Sequence, residues 1–218
     1  MSNGVICNCL KRTHDDPAFV VITGGPGAGK TAILGVARQR LCEHVVVLPE
    51  AAGVVFGGGF WRKDSTPGRK AAQRAIYHVQ SEFERMIRDE REAALVLCDR
   101  GTIDGLAYWP DLEEAFWAEL KTSREQELKR YRAVIHLKTP PVEHGYNRSN
   151  PLRIESATQA AEADSRILQS WEGHPKRFIL DSHEDFLEKA RKAVDLIRNE
   201  LPICCRTHSF PEFDSGGS

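Results

Sequence analysis

Residues 19–31 read FVVITGGPGAGKT, an apolar, β-branched run that breaks into glycines and ends on a lysine and a threonine. Gly24, Gly29, Lys30 and Thr31 occupy the fixed positions of G-x-x-x-x-G-K-[ST]. A helical spacing follows through Ile33, Leu34, Ala37 and Leu41, so the segment reads as strand, glycine loop and helix. The spacing has a chemical reason. Glycines let backbone N–H groups curl around an anion, and the helix start adds its positive end. Lysine can reach β- and γ-phosphates, and a threonine hydroxyl can ligate Mg²⁺. A random chain of this length matches the pattern about once in a hundred, and here the match also sits between a strand and a helix. Gly25, Gly27, Ala28, Gly29, Lys30, Thr31 and Ala32 are therefore the candidates for holding a nucleoside triphosphate, with Thr31 also a metal candidate.

The same alternation continues outward. HVVVLP at 44–49 predicts a second strand, and 70–92 a long helix with Ala72, Ile76, Val79, Phe83 and Ile87 on one face. AALVLCD predicts a third strand ending at Asp99, followed by a helix over 112–130. A strand at Ala133–Leu137, a helix around 155–171, a strand at 177–181 and a helix near 183–199 complete the series. Five short apolar strands separated by helices predict parallel βαβ units, and their lack of period-two alternation predicts helices on both faces of the sheet. Residues 51–69 and 138–153 show no periodicity and read as functional loops. The domain is expected over 18–199, between an N-terminal extension at 1–17 and a tail at 200–218.

Composition narrows the function classes. Of 218 residues, 41% are hydrophobic and 28% charged, the proportions of a soluble single domain. No apolar run approaches the ~18 residues of a membrane helix. Thirty basic against thirty-one acidic side chains leave −1, so no global field draws the chain onto nucleic acid. The segment MSNGVICNCLKRTHDDP has the wrong order for a secretory signal, which predicts a cytoplasmic protein with reduced thiols. Cys7 and Cys9 could join Cys204, Cys205 and His208 in a zinc site only if the termini meet. Neither half has a C-x₂-C spacing, and the reading preferred is ordinary thiols.

Ligands of open parallel sheets sit beyond the C-terminal strand ends. Two acids stand there: Glu50 after the second strand and Asp99 after the third. Asp99 suits Mg²⁺, and Glu50 could accept the proton of an attacking hydroxyl. Arg100 follows Asp99 and can pair with a phosphate or a carboxylate. Two stretches are locally basic, +4 over 60–75 and +3 over 132–153. Within them Arg148 and Arg153 are favoured for neutralising a moving phosphoryl group. Phe60 and Trp61 could stack on a ring, and Gln73, Tyr77, Asp104 and Tyr108 could line an acceptor cavity, with Trp109 beside them. The chain lacks the N-K-x-D guanine-reading motif and the protein-kinase H-R-D and D-F-G motifs. The dinucleotide pattern G-x-G-x-x-G fails because Lys30 stands at its third glycine.

GGPGAGKT, LPEAA at 48–52, DRGTIDGLAY at 99–108 and the later Asn150, Arg153 and Glu155 together resemble the nucleoside- and nucleotide-kinase group of P-loop proteins. More narrowly they resemble the AAA-type ATPase family related to the NadR ribosylnicotinamide kinase domain, over roughly 18–195. The resemblance implies a three-layer P-loop NTPase fold, a five-stranded parallel sheet in the order 2-3-1-4-5, a lid near 138–153 and use of ATP with Mg²⁺, GTP remaining open. It does not imply one acceptor. Two function classes follow. One is a small-molecule kinase acting on a hydroxyl of a nucleoside-like or other polar metabolite, working as a monomer or homodimer. The other is a nucleotide-dependent switch whose output is a partner protein or a lipid surface.

Overall fold

The computed structural model describes residues 9, 11, 13–140, 157–181 and 186–206. Its centre is β1, Ala18–Thr23, buried along its whole length. On one side β1 pairs in parallel with β3, Leu95–Asp99, and on the other with β4, Ala133–Leu137. β2, Val45–Leu48, flanks β3, and β5, Arg177–Leu180, flanks β4. The order β2-β3-β1-β4-β5 is the 2-3-1-4-5 expected.

Period-two geometry sends alternate residues of β1 to opposite faces. Ala18, Val20 and Ile22 pack with Ile33, Leu34 and Ala37 of α1 (Lys30–Arg40) and with Ala190, Ala193 and Ile197 of α7 (Phe186–Glu200). Phe19 and Val21 pack on the other face with Ile167 of α6 (Ala157–Ser170), with Trp171 beyond its end, and with Ile87 of α3 (Thr66–Glu90). Both faces are thus covered, which explains why the strands read as continuous apolar runs. Each fully buried Ile or Leu contributes about 1.5–3 kcal/mol relative to exposure. Trp171 is completely buried. Among the described residues no helix is long and apolar enough to cross a membrane.

Three expectations need correction. The stretch 51–69 is not all loop: α2, Ala51–Gly57, follows Glu50, and only 58–65 is irregular. Its sequence AAGVVFG carries two glycines and two β-branched residues, poor helix formers whose conformation is decided by packing on α3. The single helix expected over 112–130 is two, α4 (Glu113–Leu120) and α5 (Arg124–Lys129). Lys121 ends α4 in the left-handed conformation at φ 54°, and the Ser123 side chain restarts the chain as α5 by accepting from the Gln126 amide. The segment after 202 begins with one more turn of helix, α8 (Ile203–Arg206), which buries Cys205.

Candidate functional site

The glycine loop lies between β1 and α1, and its geometry depends on missing side chains. A Cβ on Gly24 would stand 2.1 Å from the carbonyl oxygen of Leu137, and Gly24 adopts φ 134°. Gly29, at φ 96°, is the N-cap of α1, so no side chain caps the helix and its first turn holds no acid. The first N–H groups of α1 are left for an anion. Lys30 folds back over the loop and donates to the Gly24 and Gly25 carbonyls at 3.0 and 3.1 Å. The residue as a whole is partly exposed, but its ammonium group lies deep. Burial and then the nearby Arg100 guanidinium lower it to about 8, against the pull of Asp99 and Glu50.

The loop is held from behind by a residue that sequence reasoning passed over. Asp164 of α6 accepts from the Gly25 amide at 2.6 Å and from the Thr139 amide at 3.4 Å, and contacts His136 Nε2 at 3.0 Å. Burial pushes its carboxyl up, but His136 and the two amides outweigh this and leave it below its ordinary value. A signal was present. Ala160, Ala163, Ile167 and Trp171 mark the buried face of the helix, and Asp164 falls on that face. An acid there needs a partner.

The acids after β2 and β3 come together across from Lys30. Arg100, with φ 73°, is the hub: its Nε donates to Glu50 Oε1 at 2.7 Å, and its Nη1 lies 3.5 Å from Asp104 Oδ1. Burial raises the Glu50 carboxyl, but Arg100, Lys30 and Arg62 outweigh it and hold Glu50 below its ordinary value. Asp99 goes the other way. Burial raises it, Lys30 only partly offsets this, and Glu50 raises it further. Its buried Oδ1 has no hydrogen-bond partner. An unsatisfied carboxylate oxygen in a pocket that Thr31 also lines has the oxygen chemistry that Mg²⁺ takes.

These groups line one cavity of about 630 Å³ with walls from the loop, α2, α3, the 99–108 segment and α6. Gln73, Tyr77, Asp104 and Tyr108 lie on it as expected. Two of them turn their polar atoms inward to the protein. Asp104 is occupied by the Thr23 hydroxyl, the Gly101 amide at 2.8 Å and Arg100. The Tyr77 hydroxyl donates to Glu127 at 2.7 Å, and burial pushes it up to about 12. Trp109 does not line the cavity; it packs edge-on against Phe116 in the apolar cluster behind it. Phe60 and Trp61 are not brought in either, and Trp61 is 76% exposed. Phe56 takes the wall position instead, with the Arg62 guanidinium 4.1 Å above its ring. Helix α2 causes the substitution, since it turns Phe56 inward and ends before Phe60.

The basic 60–75 stretch divides. Lys70 and Arg74 pair with Asp111 and Glu119, whereas Arg62, Lys63 and Arg69 face the cavity with Arg166 of α6. With Lys30 and Arg100 they make six bases against Glu50, Asp64, Asp99 and Asp104. Arg148, Arg153 and most of the 138–153 stretch lie outside the described residues.

The model of a family described as AAA domain matches residues 19–189. No curated protein matches the sequence. Among solved structures, thymidylate kinase from Candida albicans is similar with a TM-score of 0.60 at 14% identity, over 84% of this chain and 92% of that one. At that identity the likeness speaks for the fold. The narrower likeness to the NadR ribosylnicotinamide kinase domain is carried by neither match.

Proposed function

The chain belongs to the AAA domain family, and from that premise we propose that it is an ATP- and Mg²⁺-dependent phosphotransferase acting on a hydroxyl of a small, polar, nucleoside-like acceptor. The observation that carries this reading is the joining of two features. The Glu50–Arg100–Asp99 group stands across from Lys30, and all four share a walled cavity roomy enough for a small molecule. A switch that reports to a partner needs the loop and a metal acid but has no use for such a cavity.

In this reading the amides of Gly25, Gly27, Ala28, Gly29, Lys30, Thr31 and Ala32 surround the β- and γ-phosphates. Lys30 leaves the Gly24 and Gly25 carbonyls to meet them. Thr31 and Asp99 would hold Mg²⁺, which when bound supplies charge neutralisation on the phosphate oxygens. Glu50 orients the acceptor hydroxyl and accepts its proton. The new bond forms between that oxygen and the γ-phosphorus as the bond to the β-phosphate oxygen breaks, and ADP leaves. Arg100 balances charge on the phosphoryl group in transit. The surplus of bases from Arg62, Lys63, Arg69 and Arg166 favours an acceptor that itself bears an anionic group.

The experiment is a transfer assay with labelled ATP, Mg²⁺ and a panel of nucleosides, nucleoside monophosphates and other phosphorylated metabolites. Label should move to one acceptor class in the wild type and not in Lys30→Ala. Hydrolysis without transfer, stimulated only by a protein or by vesicles, would replace the kinase with the switch.

A further inference from the structure

The two ends of the described chain meet at the edge of the sheet opposite the glycine loop. Cys9 lies ahead of β1, and His14 is tied down by its amide donating to the Arg91 carbonyl at 2.6 Å. His44 directly precedes β2, and its carbonyl accepts from the Ala94 amide at 2.8 Å. Cys205 is buried on α8. One ligand-capable atom from each of Cys9, His14, His44 and Cys205 lies within 4.8 Å of all the others. Cys205 Sγ is 3.7 Å from His44 Nδ1, and the two imidazoles meet edge-to-face at 4.9 Å between centroids.

We propose that these four side chains form a structural Zn²⁺ site. Two thiolates and two imidazoles are the donor set of closed tetrahedral zinc sites. With Zn–S near 2.3 Å and Zn–N near 2.0–2.1 Å, a tetrahedron needs ligand atoms roughly 3.3–3.8 Å apart. The observed set, within 4.8 Å, therefore has to contract by up to about 1.5 Å, which side-chain torsions supply. Two further observations point to a ligand. His14 is 8% exposed and its Nε2 has no hydrogen-bond partner, and the Cys9 thiol already reaches Cys205 and Cys204. An apolar pocket would not need two imidazoles facing two sulfurs.

The position says what the metal does. All four ligands come from the protein, which leaves no open position for substrate. The site lies before the N-terminal ends of β1 and β2, whereas Glu50, Asp99 and Lys30 lie at or beyond the C-terminal ends of the strands. Zinc there staples the N-terminal stretch and α8 to the base of the sheet. The sequence motif does not disclose it, because Cys9 pairs with imidazoles 30 residues apart and with a cysteine near the far end. Cys7 and His208, considered with Cys204 and Cys205 in the sequence reading, lie outside the described residues.

The test uses the full chain, freshly reduced, titrated with zinc chloride against a chromophoric chelator and separately with cobalt(II) chloride. One zinc per chain is expected, and cobalt should give thiolate charge-transfer bands with the intense visible bands of a tetrahedral ion. Cys205→Ser and His14→Ala should each weaken zinc by more than ~100-fold, beyond the 10–100-fold that an outer partner costs. If either fails to fold, Cys9→Ser and His44→Ala, at partly exposed positions, replace them with the same expectation. Lys30→Ala should keep the zinc, so loss of nucleotide binding and loss of metal are read separately. Cobalt spectra without thiolate bands, a Cys9–Cys205 disulfide in the reduced protein's intact mass, or zinc affinity within threefold of wild type in the ligand variants would overturn the site.

Discussion

Arg100 reaches Glu50 at 2.7 Å from a backbone in the left-handed region, φ 73°. A non-glycine residue there costs of order 1 kcal/mol, and strain of this kind persists only where surrounding contacts over-determine it. Here the Arg100 amide donates to the Ile22 carbonyl at the end of β1, and the guanidinium is fixed between Glu50 and Asp104. The strained turn therefore aims a cation at the mouth of the phosphate loop. Arg100→Gln should lower phosphoryl transfer by ~10²-fold or more, the scale seen when one preorganised charge stabiliser is removed. It should also move the acidic limb of the pH–rate profile upward. Arg100 is the chief opposing charge that holds Glu50 low, and burial raises Glu50 once it is gone. An unmoved acidic limb would show that Glu50 does not titrate in the rate.

Lys30 sets the opposite limb. Nucleotide phosphates stabilise the charged ammonium, so the complex holds the proton more tightly than the free protein. Affinity should be full below about 8 and fall as pH rises, by up to about tenfold per pH unit, until the complex too loses the proton. Folding stability runs the other way. Folded Lys30 titrates near 8 against an ordinary 10.5, so its burial cost is present below 8 and relieved as pH rises between the two values. Lys30→Arg keeps the charge throughout and should flatten the difference. Calorimetric ATP titrations at pH 7.5 and 9.5 (illustrative values, one on each side of about 8) check the first statement, and urea unfolding of wild type against Lys30→Arg checks the second.

Asp164 should act on the loop without touching a ligand. Asp164→Ala removes the acceptor from the Gly25 amide and from His136, leaving buried polar groups unpaired at about 1–3 kcal/mol. Thermal melting should fall accordingly, and ATP affinity should weaken about tenfold if half of that cost reports on loop order. Asp164→Asn keeps an oxygen for Gly25 and should lie between the two. Equal affinity in all three proteins would confine Asp164 to stability.

The contrast between Lys30 and Asp164 shows which parts of this site a sequence displays. Lys30 is named by local chain geometry, because a phosphate loop forms within eight consecutive residues. Glu50 and Asp99 follow from the strands, since a parallel sheet presents its chemistry at the C-terminal strand ends. Phe56 and Arg62 in place of Phe60 and Trp61 could not be read, because α2 is made of weak helix formers and exists through packing. Asp164 and the His14–His44 pair belong to contacts across 139 residues and between separate chain segments. Only the tertiary fold brings them together.

Behind the cavity, Glu84 is fully buried and accepts from Arg130 at 2.6 and 3.1 Å, from the Tyr131 hydroxyl at 2.7 Å and from Gln80 at 3.0 Å. Tyr131 passes the network on by accepting from the Thr102 amide at 2.8 Å, in the segment after Asp99 and Arg100. Glu84→Leu leaves Arg130 without its main partner, and breaking a buried pair in this way costs about 3–5 kcal/mol. Chemical unfolding should show a loss of that size. Glu84→Gln keeps the shape and acceptor and should lose less.

Glu50→Gln separates orientation from proton transfer. The amide keeps the side chain's length and an oxygen for Arg100, so ATP affinity should change little. Its nitrogen cannot accept a proton, so transfer to an acceptor should fall by ~10²–10⁴, the usual worth of a positioned base. Because Arg100 holds Glu50 below its ordinary value, the carboxylate is fully ionised at neutral pH but weakly basic. This predicts that proton transfer lags behind phosphoryl transfer, as a loose transition state allows. Glu50→Asp, one methylene shorter, retains the base and should recover part of the rate if the Arg100 contact re-forms. Single-turnover measurements with labelled ATP decide the matter. A Gln variant that binds ATP normally and transfers at the wild-type rate would leave Glu50 as Arg100's anchor and no more.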